Sequence, residues 1–228
     1  SKQAPLNEEQ KINASGFSAL NAEVRYLNPV LHVTFPRDTN GVKWANRFTS
    51  VNKKREGVLT TTKIHPDSPV DPKKKANEEY TSEIDWTKVL FAAGPLLIPS
   101  VTVSKANLSR EQIIAEKTRL RSLFAPLANA ETPAVAAEEG EMYSITFTQE
   151  SAVYEGAYCW ADDRIYGVIY SPEDHFALVQ QLRDRGESGV TTIVVPSFVK
   201  PENIHVYSLA MTADGKITSN SIHSTLGA

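Results

Sequence analysis

Residues 166–176 read Tyr-Gly-Val-Ile-Tyr-Ser-Pro-Glu-Asp-His-Phe, an apolar run handed over to a polar Ser-Pro-Glu-Asp phrase. The run Arg164–Tyr170 has strand character. Ser171 is a good helix cap, Pro172 suits a first helical position, and an acid follows at N3. These signals predict a helix from Ser171, with Phe176, Val179 and Leu182 on one side and Gly186 as its stop. Working outward, Met142–Thr148 and Val153–Trp160 read as strands joined by Gln149-Glu150-Ser151 and Ala161-Asp162-Asp163. Thr191–Val195 and Ile204–Met211 read as later strands, and Ala213-Asp214-Gly215 turns into a strand over Lys216–Ile222.

The N-terminal half shows the same order. Residues 1–20 are polar, a tail or short helix. Ala22–Phe35 alternates Val30, His32, Thr34 with Leu31, Val33, Phe35, a strand signature with both faces partly buried. Asp38-Thr39-Asn40-Gly41 supplies a turn, Val42–Val51 a second strand, 52–57 a hairpin and Val58–Ile64 a third strand. His65–Glu79, with three prolines and three consecutive lysines, reads as a mobile loop. Trp86–Val103 permits only short strands around Pro95 and Pro99. A helix then starts at Ser109 with Gln112 in a capping box, and carries Ile113, Leu120, Leu123, Phe124 and Leu127 up to the limit set by Pro126. The expected class is α+β: two β-meander-plus-helix halves packed as one domain. The boundaries are 1–20 tail, 21–127 basic half, 128–140 linker and 141–228 acidic half.

A basic, aromatic meander followed by Tyr166-Gly167-Val168-Ile169-Tyr170-Ser171-Pro172-Glu173 resembles the Whirly-type single-stranded nucleic-acid-binding fold. The stretch Val30–Thr61, with Lys53-Lys54-Arg55-Glu56-Gly57-Val58, resembles the basic hairpin that precedes the helix in that family. The resemblance implies Whirly-like antiparallel sheets with helices, two ββββα units in one chain, and a nucleic-acid surface on the extended strands.

Charge points the same way. Arg25 to Lys75 holds eleven Lys or Arg against four acids, so 11 − 4 = +7 in a chain whose total is −3, and the remainder sums to −10. Cations that track phosphates, with aromatics among them that stack bases, are what a single-stranded nucleic acid requires. The expected binding residues are Arg37, Lys43, Trp44, Arg47, Phe48, Lys53, Lys54, Arg55 and Lys63, with RNA favoured over DNA. Strand alternation sets Trp44 on the face opposite Lys43 and Arg47, which only a bulge or strong twist would reconcile. The acids of 131–174 invite pairing with the basic half of another copy, hence a homo-oligomer.

Chemistry is sparse. There is no Gly-rich phosphate loop, and the five histidines show no metal-ligand spacing. No cofactor and no metal are therefore expected. Cys159 with His175 is a conceivable nucleophile and base, against the plainer reading of Cys159 as a small buried apolar residue. Glu150 and Glu155 with Arg25 on an early strand resemble the acidic pair and cofactor-binding arginine of an ADP-ribosyltransferase-like site, although the spacing is wrong for Glu-x-Glu. The reading is a non-enzymatic single-stranded nucleic-acid-binding protein. The alternatives are a structural or scaffold protein of viral type, or an ADP-ribosyltransferase-like enzyme. A single cysteine excludes a disulfide within this chain. With no signal-type stretch and no apolar run of membrane length, a cytoplasmic protein with no membrane partner is expected.

Overall fold

The computed structural model describes residues 6–35, 43–124 and 142–226. The fold is α+β, in three layers: a three-stranded sheet, a four-stranded sheet, and a helical layer with a small hairpin.

The largest departure from expectation comes first in the chain. Residues 22–34 are not a strand but part of helix α1, Glu8–Thr34, with Phe35 as its C-cap. Asn7 opens it with a reciprocal capping box, its Oδ1 accepting from Gln10 N at 2.8 Å while Gln10 Oε1 accepts from Asn7 N at 2.9 Å. Leu20, Val24, Leu27, Leu31 and Thr34 recur at steps of four and three, one stripe of a helix. That stripe packs into the core, with Leu20, Leu27, Leu31 and Thr34 fully buried. Helix α2, Trp44–Lys54, replaces the expected second strand and packs on α1. Its buried face holds Phe48, Thr49 and Asn52. Asn52 Nδ2 donates to Leu90 O at 2.8 Å and its Oδ1 accepts from Leu90 N at 2.7 Å, fastening α2 to the segment 89–92.

Residues 52–57 therefore join a helix to a strand instead of closing a hairpin. Strand β1, Leu59–Lys63, falls where the third strand was expected. It pairs antiparallel with β2, Tyr80–Ile84, which follows the short helix α3, Ala76–Glu79. The loop between them is anchored, not loose: buried Lys11 of α1 pairs with Glu79, whose other oxygen accepts Asp71 N at 2.7 Å. The first half is thus helix, helix and hairpin, not a meander.

Strand β3, Val101–Asn107, pairs with β4, Tyr143–Gln149, which pairs with β7, Gly189–Val195, all antiparallel. The helix after β3, α4 (Arg110–Phe124), starts as expected: Gln112 N donates to Ser109 Oγ at 3.3 Å and Ser109 N to Gln112 Oε1 at 2.8 Å. Its expected end at Pro126 and Leu127, the Asp38–Gly41 turn and the 128–140 linker lie outside the described residues.

The second sheet has the order β6-β5-β8-β9, with β5 Arg164–Ser171, β6 Phe176–Asp184, β8 His205–Met211 and β9 Ile222–Ser224. Strands β5 and β8 are buried on both faces. Ile169 and Val206 face the first sheet, whereas Val168, Tyr170, Tyr207 and Leu209 face the helical layer. Gly167 leaves room for the facing sheet, since a Cβ there would lie 2.7 Å from the Phe147 ring.

The helix expected from Ser171 is a hairpin turn leading into β6. The capping interactions form, with Ser171 Oγ donating to Asp174 Oδ2 at 2.8 Å and accepting from Asp174 N at 3.3 Å. His175 then takes φ 51° and turns the chain back, so that Phe176 pairs with Ser171. In β6 the apolar residues alternate: Phe176, Leu178 and Leu182 pack on the sandwich core, Ala177 and Val179 on the helical side. Two apolar faces at period two overrode a helix-start phrase. Residues 153–160 are likewise not a strand but the loop joining β4 to β5.

Candidate functional site

The expected nucleic-acid residues are redistributed by the change from strand to helix. Phe48 is fully buried, packed between Phe35 and Phe91 at ring-centroid distances of 6.3 and 5.9 Å, so it cannot stack a base. Trp44 is half-buried against α1, with Nε1–H donating to Asn28 Oδ1 at 3.2 Å. On a helix, at about 100° per residue, Lys43, Arg47 and Lys54 lie within about 40° of one another, on the side of α2 away from buried Phe48, Thr49 and Asn52. The conflict between Trp44 and its neighbouring cations thus disappears. Arg47 is half-buried, its guanidinium 5.8 Å from the Phe35 ring centroid. Lys53 and Lys54 are exposed on the last turn, where cations also complement the helix dipole. Arg55 Nε donates to Lys88 O at 2.9 Å and Lys63 Nζ to Ser68 O, so both are engaged locally. Arg37 lies outside the described residues. Among the described residues the cations are therefore on a helix and its flanks, with Lys63 alone on a strand, and no aromatic β-surface joins them.

Of the catalytic alternatives, Cys159 is buried and its Sγ is shared with the backbone of Tyr154, 3.5 Å from N and 3.7 Å from O. His175 lies past the far end of β5, roughly 25 Å away by strand length, and stacks on Tyr26 at 3.9 Å. These two do not form a nucleophile–base pair. Arg25 sits on α1 with its guanidinium 4.4 Å from the Tyr26 ring centroid, not on the early strand that an ADP-ribosyltransferase-like site requires.

The most developed surface feature is the loop 150–163. It displays Tyr154, Tyr158 and Trp160, 59%, 43% and 45% exposed, with Tyr158 and Trp160 edge-on at 4.9 Å. Exposed Leu97 and Ile98 run alongside, Leu97 N donating to Tyr158 O at 3.0 Å. Four acids (Glu150, Glu155, Asp162, Asp163) and no base occur in this loop.

Its frame is a buried ion pair. Arg185, 1% exposed, donates from Nε to Asp163 Oδ2 at 2.9 Å and from Nη2 to Leu97 O at 2.6 Å. Asp163 Oδ2 also accepts Trp160 N at 3.0 Å. Backbone bonds from Arg185 N to Asp163 O, Ala152 N to Arg185 O and Gly186 N to Ala161 O complete the anchorage. One desolvated arginine thereby fixes the loop that carries the exposed rings to the segment that carries Leu97 and Ile98. The sequence reading missed this. The available signal was Gly156, whose φ of 77° breaks the strand that Val153–Trp160 suggests.

No group of three metal-ligating side chains occurs among the described residues, and no helix among them is long and apolar enough to cross a membrane. Comparison with protein-family models, curated proteins and solved structures finds no match to this chain.

Proposed function

We propose that the protein is a non-enzymatic structural subunit that associates with further copies of itself, docking the loop 150–163 onto a partner's cationic helix α2. The observation that carries this reading is the aromatic loop held by the Arg185–Asp163 pair. Exposed Tyr and Trp on a pre-organised frame are the residues that dominate protein interfaces, because they bury large area with little loss of rotamer freedom. With Asp163 neutralised by Arg185, the loop keeps three acids (4 − 1 = 3) around its rings, complementary to Lys43, Arg47, Lys53 and Lys54. Contact between two different patches is head-to-tail and builds rings or filaments. Sedimentation velocity at low and high ionic strength tests this. Wild type should associate reversibly and less so in salt. Tyr154→Ala/Tyr158→Ala/Trp160→Ala and Lys53→Glu/Lys54→Glu should both be monomeric with unchanged melting temperature. A wild-type monomer at all concentrations refutes the reading.

One observation, the alignment of Lys43, Arg47 and Lys54 along α2, favours a second reading: single-stranded nucleic acid, RNA before DNA, held on that line by charge. Fluorescence anisotropy across a salt series checks it. Removing Lys43 and Lys54 should flatten the slope of log K against log salt by roughly 1.4, near 0.7 per lost contact. An unchanged slope excludes α2 as the interface.

A further inference from the structure

The histidines, unremarkable by spacing in sequence, are not all solitary in space. Tyr207 on β8 lies opposite His223 on β9, so His205, two residues along β8, points to the same face and stands diagonal to His223. Their rings converge: His205 Nδ1 is 3.3 Å from His223 Nε2. Tyr207 packs edge-on against His223 at 5.1 Å, and the Trp86 ring centroid is 6.4 Å from that of His205. Both imidazoles are half-buried, and β9 is the edge of its sheet, so solvent and small ions reach them.

The two nitrogens share a hydrogen bond at 3.3 Å, so a cation held by both would displace the proton between them. Two imidazole nitrogens bound at about 2.0–2.1 Å to a tetrahedral ion stand about 3.3–3.4 Å apart. We infer that His205 and His223 form a two-nitrogen chelate for a borderline divalent cation, Zn²⁺, with the remaining positions open to water. The nearby Asp85 carboxylate is engaged, accepting from Thr87 Oγ1 at 2.6 Å and pairing with Lys88 at 3.2 Å. It adds negative potential and is not counted as a ligand. No third side chain closes the site among the described residues.

The test is calorimetric titration of the untagged full chain with Zn²⁺, with melting temperature followed in parallel. Wild type should bind one Zn²⁺ per chain and melt higher with the ion present, as any ligand of the native state requires. His205→Ala and His223→Asn should each weaken binding at least as much as loss of an outer-shell partner does, about tenfold, and should lose the Zn²⁺-dependent rise in melting temperature. That rise is read within each variant, so a lower baseline stability does not obscure it. Absence of stoichiometric binding in wild type, or binding that survives both substitutions, overturns the inference.

Discussion

Arg185→Met isolates the frame of the aromatic loop. The substitution keeps a long apolar stem but removes the charge that faces Asp163, and both side chains are 1% exposed. Asp163 is then left as a buried, uncompensated carboxylate, and Leu97 O loses its donor. Breaking one side of a buried ion pair costs about 3–5 kcal/mol. A chain of this size loses about 2–4 °C of melting temperature per kcal/mol, so the expected fall is about 6–20 °C. Calorimetry measures that fall, and hydrogen exchange locates it. The amides of Ala152, Trp160 and Gly186, which hang on this network, should exchange faster, while those of β8 follow the global stability. Asp163 Oδ1 and Arg185 Nη1 have no hydrogen-bond partner, so Arg185→Met with Asp163→Leu should recover a substantial part of the loss. A destabilisation below about 1 kcal/mol, with exchange at Trp160 unchanged, would refute the claim that this pair holds the loop.

Phe48→Ala should cost about 3–5 kcal/mol as a core truncation, read by chemical denaturation, whereas Trp44→Ala should cost less because Trp44 is only partly buried. Gly167→Ala should cost about 1–3 kcal/mol through overpacking against Phe147, and Phe147→Leu should relieve part of that cost in a double-mutant cycle. Lys11 beside Glu79 holds that carboxyl below its ordinary value of 4.5. Its contribution is therefore present above pH 4.5 and lost as pH falls through the lowered value. Urea midpoints followed into acid should show this loss, and Glu79→Gln should remove that part of the pH dependence.

The fold was legible where a single period ruled. β1, β4, β5, β7 and β8 and the start of α4 fall close to where alternation and capping residues put them. Ala22–Phe35 failed because two apolar residues in a row at Val30 and Leu31 fit either a strand buried on both faces or a helix. The spacing from Leu20 to Thr34 decides for the helix, but only when the window opens before residue 22. The Ser171–Asp174 phrase failed for the opposite reason, since the same side-chain bonds that cap a helix also close a turn. The site was less legible still. Arg185 and Asp163 are 22 residues apart and His205 and His223 are 18, and each pair meets only through strand pairing that no local pattern specifies.

The double-sided burial of β5 and β8 has a consequence for dissecting the chain. Residues 142–226 carry six strands, β4 to β9, but leave Tyr170, Tyr207 and Leu209 facing a layer that the N-terminal segment provides, and β4 without its partner β3. Residues 6–124 in turn carry a helical stripe with nothing to cover. Neither fragment closes a core, yet each presents the surface the other lacks. Separately produced pieces divided between residues 124 and 142 should therefore be insoluble alone and recover the native spectrum when refolded together, a split-protein behaviour written into the middle sheet.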